Sequence, residues 1–127
     1  MDYLLVHEYR EGEVTVLAAH GELDSHTGTH LADRLAKLAA AGRHRLIIDA
    51  AGLTFCDTHG IRIMISGHVR ARDQGGWLRV ARADWRIRKL LSILPALEIP
   101  EAFESIADAL NDRATGADGP DPTPRLR

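Results

Sequence analysis

Between Leu46 and Val69 the chain reads LIIDAAGLTFCDTHGIRIMISGHV, an apolar run, a loop and an amphipathic run with no spacer between them. Leu46-Ile47-Ile48 is too short for a helix and rich in β-branched residues, so it reads as a buried strand. Asp49 to Thr54 carries Gly52 and reads as a tight loop; Phe55-Cys56 then returns the chain to an apolar position before Asp57-Thr58-His59-Gly60. From Ile61 onward the period becomes helical. Ile61, Met64, Ile65 and Val69 share one face, and Arg62, Ser66, Arg70 and Asp73 share the other. Asp57 or Thr58 is therefore the helix N-cap. A hydroxyl on an exposed loop, at the positive end of a helix dipole, is well placed to carry a phosphate.

The flanking sequence alternates strand and helix signals around this unit. Tyr3 to Tyr9 and Val14 to Ala19, joined by the turn-forming Arg10 to Glu13, read as a hairpin. Gly21-Glu22-Leu23-Asp24 ends the second strand, and Ser25 to Thr29 offers N-caps for a helix with Leu31, Leu35, Leu38 and Ala39 inward, Asp33, Arg34 and Lys37 in water, and Gly42 at its C-terminus. After the central unit, Gln74-Gly75-Gly76 turns into a strand from Trp77 to Ala81. Asp84 caps a helix with Ile87, Leu90, Leu91 and Leu94 inward, which Pro95 stops. Leu97 to Ile99 reads as a short edge strand, and Pro100 opens a terminal helix with Phe103, Ile106, Ala109 and Leu110 inward. The order β-β-α-β-α-β-α-β-α predicts an α/β fold, a small mixed sheet with flanking helices. One domain over residues 1–112 is expected, then a disordered tail over 113–127, where Gly, Pro, Asp and Arg leave no apolar period.

These residues carry a family resemblance. The run Asp49-Ala50-Ala51-Gly52-Leu53-Thr54-Phe55-Cys56-Asp57-Thr58-His59-Gly60-Ile61 between a strand and an amphipathic helix resembles the STAS domain of anti-sigma factor antagonists. The likeness extends upstream to Gly21-Glu22-Leu23-Asp24 and downstream through Ile87 to Leu94, and covers about residues 3 to 111. It implies the same small mixed sheet, with the functional loop at the carboxyl end of a central strand, where open α/β sheets generally place their sites. It also implies that Thr58 is phosphorylated by a partner kinase, with Asp57, His59, Gly60 and Asp24 around it. The implied partner is an anti-sigma factor of the histidine-kinase-like ATPase type, a serine/threonine kinase, with a phosphatase to reset the switch. His59 stands where the family commonly has a second Ser or Thr, and Arg62 where it often has a small residue.

Other chemistries find less support. A net charge of −2 offers no basic field for nucleic acid and no polybasic patch for a membrane. No apolar stretch approaches roughly 18 residues, no signal peptide is visible, and the single Cys56 forms no internal disulfide, which together suit a reducing cytoplasm. Among seven histidines, His26 and His30 are spaced i, i+4, but no Cys or carboxylate at ligand spacing completes a metal set. No phosphate-cradling glycine motif is present, no cofactor is expected, and neither Thr58 nor Cys56 has an activating base, so an enzyme is not expected. A binding module remains, with a STAS regulatory or scaffold subunit of a stressosome-like or transporter-associated assembly as the alternative. Ile63 lies on the polar side of its helix, near Arg62 and Ser66, and reads as an exposed anchor for the partner.

Overall fold

Val14 to Ala19 are six buried residues in succession, which marks a strand covered on both faces. The computed structural model describes residues 3–93 and 99–112. In chain order they form β1 (Leu4–Glu11), β2 (Val14–Leu23), α1 (Gly28–Ala40), β3 (Arg45–Cys56), α2 (Thr58–Asp73), β4 (Trp77–Ala81), α3 (Trp85–Ile93), β5 (Glu101–Phe103) and α4 (Ile106–Asn111). The strands lie side by side in sequence order, β1 antiparallel to β2 and each later pair parallel. This is the mixed α/β sheet expected from the sequence.

The parallel steps all advance in one direction across the sheet, so right-handed crossovers put α1, α2 and α3 on one face. Leu31, Leu35 and Leu38 of α1, Ile61 and Met64 of α2, and Ile87 and Leu91 of α3 share a core there with Leu17, Ile48, Leu78 and Val80 of the sheet. The other face packs Val14, Val16, Ile47, Trp77 and Phe103 against Ile106, Ala109 and Leu110 of α4. Arg79 lies wholly buried in this second core. Its guanidinium stacks 3.7 Å above the Trp77 ring and its Nη1 donates to the Ala109 carbonyl at 2.7 Å, fastening the end of α4 to the sheet.

Four expectations are corrected. The presumed loop from Asp49 to Thr54 is strand, because β2 runs to Leu23 and pairs with β3 as far as Cys56, with irregularities between Ala18 and His20 and between Gly21 and Glu22. Among the described residues the last strand is Glu101–Phe103, in a stretch expected to be helix. It pairs with Arg79 to Ala81, and Phe103 is a buried strand residue rather than part of a helix; Ile99 lies outside the strand, and the rest of the expected Leu97 to Ile99 strand falls outside the described residues. The final helix begins at Ile106, where the Ser105 hydroxyl accepts from the Asp108 N–H, and not at Pro100. The buried stripe of α2 is centred on Ile61, Met64, His68 and Ala71, with Ile65 and Val69 only half-buried. Gly67 explains this rotation, since a Cβ there would stand 3.0 Å from both Leu35 and Leu78. Leu94, Pro95, Leu97 and the tail over 113–127 lie outside the described residues.

Gly42 behaves as its position predicts. It follows α1 at φ +78°, its N–H donates to Ala39 and the Arg43 N–H donates to Leu38, which ties off two end carbonyls.

His68 is a buried polar residue with a defined task. β5 pairs with β4 only from Arg79 onward, and the Leu78 N–H donates instead to His68 Nδ1 at 3.0 Å. Replacing His68 with leucine keeps most of the volume and strands that amide, a loss of about 1–3 kcal/mol. His68→Leu is therefore expected to lower the denaturation midpoint in a chemical unfolding curve; an unchanged midpoint would refute the role.

Candidate functional site

The ends of β2 and β3 set the site. Because their pairing continues to Leu23 and Cys56, the Asp57 N–H reaches the Leu23 carbonyl at 3.2 Å. Asp24 and Thr58 are the next residues beyond this bond, and each leads into a helix. Asp57 is the N-cap of α2: its backbone is extended, and its carboxylate accepts from the Gly60 N–H at 3.0 Å. The choice between Asp57 and Thr58 is thus resolved. Asp57 caps, and the exposed Thr58 hydroxyl makes no hydrogen bond among the described residues. The N–H groups of Thr58 and His59 are likewise left over in that first turn.

Two glycines allow the elements to meet. Gly60 is buried, and a Cβ there would lie 2.7 Å from Leu23 Cγ and 3.0 Å from Cys56 Sγ. Gly28, at the start of α1, faces the other side of the α2 terminus: a Cβ would lie 2.5 Å from Ile63 Cδ1 and 3.4 Å from the His59 ring. His59 is therefore exposed but laid over the beginning of α1. Asp24 makes the turn into α1, its Oδ1 accepting from the N–H groups of His26 and Thr27 at 2.9 Å each, while the Thr27 hydroxyl donates to the Glu22 carbonyl at 2.6 Å.

Asp24, Asp57, Thr58, His59 and Gly60 are thus brought together, and Arg62 and Ser66 are exposed along α2. Ile63 differs from the expectation. It is half-buried, seated against Gly28 and packed on the main core, because α1 crosses α2 on that side. Gly28 was legible only as a glycine at a helix start, and its partner across the interface has no local signal. Ile63→Asp is expected to destabilise the domain by about 1–3 kcal/mol, through an unpaired polar group at a packed contact. Thermal unfolding measures it, and an unshifted midpoint would restore Ile63 as a free anchor.

Cys56 is half-buried behind the loop. Burial first, then the charges of Asp57 and Asp84, push its thiol up to about 12, so it holds almost no thiolate near neutrality and is poorly disposed to act as a nucleophile. Beside it Thr54, Phe55, Asp84, Arg86 and Ile87 line a small cleft of about 130 Å³, and Phe55 is half exposed. Among the described residues no group of three or more His, Cys, Asp and Glu is placed to hold a metal ion, and no helix is long and apolar enough to cross a membrane.

The family model of the STAS domain matches residues 8–109. The chain belongs to the STAS domain family. No curated protein matches it in sequence. Among solved structures, this STAS domain is similar to an anti-sigma factor antagonist from Mycobacterium paratuberculosis, with 21% identity, a TM-score of 0.68, and coverage of 86% of this chain and 92% of that one. It is also similar to the anti-sigma factor antagonist SpoIIAA in its unphosphorylated form, at 17% identity and TM-score 0.68, covering 87% of this chain and 96% of that one. The Bacillus cell fate determinant SpoIIAA in the phosphorylated form matches at 16% identity and TM-score 0.67, covering 84% and 97%. At these identities the likeness is one of fold.

Proposed function

We propose that this STAS domain is an anti-sigma factor antagonist, a binding module switched by phosphorylation of Thr58. The observation that carries the reading is the division of roles at the head of α2. Asp57 does the capping, so the Thr58 hydroxyl is exposed and uncommitted, next to two N–H groups without partners. The fold shared with SpoIIAA, a protein solved in unphosphorylated and phosphorylated forms, supports the same reading.

In this proposal the unmodified domain binds a kinase-type anti-sigma factor and so releases a sigma factor for transcription. The partner supplies ATP, Mg²⁺ and the base, since the domain's own carboxylates at Asp24 and Asp57 are engaged in turns and caps. Phosphate adds about −1.5 to −2 charges, which the helix terminus stabilises by roughly 0.3–1 kcal/mol in the free domain, so the fold survives. Arg62, one turn along and exposed, adds a cation within reach of the phosphate. At the partner's nucleotide site the same group meets steric and electrostatic opposition. A penalty of about 2.7 kcal/mol lowers affinity roughly 100-fold. A phosphatase resets the switch, and the setting is the cytoplasm.

The test is incubation with the cognate ATPase and labelled ATP, followed by mapping of the modified residue. Label is expected on Thr58 and absent from Thr58→Ala, which stays bound to the partner in ATP. Label on another residue, or equal affinity of the modified and unmodified forms, would remove the switch.

A further inference from the structure

At the pole opposite Thr58, three consecutive basic residues, Arg43, His44 and Arg45, join the end of α1 to the start of β3. With Glu13 of the hairpin turn and Gln74 after α2 they line a pocket of about 530 Å³. Neither arginine forms an ion pair among the described residues, although Glu13 stands on the same rim. Arg43 Nη1 and His44 Nδ1 are shut away from solvent with no hydrogen-bond partner among the described residues.

Such orphans are uncommon and costly, the more so on a charged guanidinium, so this corner of the fold carries polar groups that its own residues leave unmet. The lining charges are two arginines against one glutamate, a surplus of one positive charge. Backbone donors here are already spent: the N–H groups of Gly42, Arg43, Gly75 and Gly76 all donate to end carbonyls of α1 and α2. Those helix C-termini repel anions, and the two guanidiniums are the lining groups that oppose this. Recognition therefore falls to the side chains, through guanidinium N–H groups on the pocket wall, which suit the oxygens of a phosphate group.

We propose that this pocket binds a phosphate-class oxyanion, free or as the phosphoryl group of a small metabolite. The volume exceeds that of the bare ion and leaves room for the rest of such a molecule. The site is distinct from the Thr58 switch. Arg45 and Cys56 are the two ends of β3, eleven steps of about 3.3 Å and so roughly 35 Å apart. Both sites nevertheless touch α2, one at its first turn and the other just past its last.

The experiment is an amide NMR titration of the full chain with inorganic phosphate, chloride holding the ionic strength constant. Saturable shifts are expected at Gly42, Arg43, His44 and Gly75, unchanged in Thr58→Ala. Loss of the guanidinium charge in Arg43→Gln should weaken binding at least about tenfold. Arg45→Gln, at the first, half-buried position of β3, gives a second reading should Arg43→Gln lose its dispersed spectrum, and is expected to weaken binding too. Titration with glucose 6-phosphate separates the two sources: tighter binding than inorganic phosphate identifies a phosphorylated metabolite, and equal binding the free ion. Shifts that never saturate, that centre on Thr58 and His59, or that persist at wild-type affinity in the folded arginine variants would overturn the proposal.

Discussion

The parallel pairing of β2 with β3 out to Leu23 and Cys56 is the constraint on which the site depends. Had β3 ended at Asp49, the segment before α2 would have had eight residues in which to wander. Held in the sheet instead, it delivers Asp57 to the Leu23 carbonyl and fixes where α2 begins. The same register puts the turn made by Asp24 beside that point, so the amino ends of α1 and α2 meet at one edge of the sheet. Gly28 and Gly60 permit the approach, each facing side chains that leave no room for a Cβ.

Behind the site, polar interactions serve rigidity. Asp49 is buried and receives two hydrogen bonds from Arg82, at 3.0 and 2.6 Å. Burial alone would raise the Asp49 carboxyl, but Arg82, the Ala51 N–H and the nearby His20 outweigh it and hold the group below its ordinary value. Its contribution to stability is thus present above the ordinary carboxylate range and fades as pH falls through the lowered value. Arg82 itself adopts φ +60°, an unusual conformation for a residue with a side chain, and its N–H donates to the Phe103 carbonyl. Together these bonds tie β3, β4 and β5 at the end of the sheet nearest the α3 cap, where the Asp84 carboxylate accepts from the N–H groups of Arg86 and Ile87.

What was legible in the sequence was what local chemistry dictates. Asp57 and Asp84 as caps, Gly42 past a helix end, the wet face of Arg62, Ser66 and Arg70, and the strand and helix order all follow from short-range rules. The errors lie where distant partners decide. Asp49 to Thr54 carries a glycine and no β-branched run, so it reads as loop until β2 is seen to run beside it. Phe103 has a helical spacing to Ile106 and Leu110, but β4 claims it as a strand residue. Ile63 is on the polar side by period, yet a glycine in another helix makes room for it. The burial of Arg79 is not decided locally either: beside the Trp77 ring of its own strand, α4 and the Phe103 ring come from other elements to receive the guanidinium.

Asp57 holds the α2 terminus and Thr58 does not, which leaves the threonine hydroxyl uncommitted. Equilibrium urea unfolding of Asp57→Ala and Thr58→Ala measures this directly. Losing the cap should cost about 0.5–2 kcal/mol, while Thr58→Ala should stay within about 0.5 kcal/mol of the wild type. A Thr58→Ala variant destabilised as much as Asp57→Ala would show that the threonine is bound into the fold, and would contradict the account.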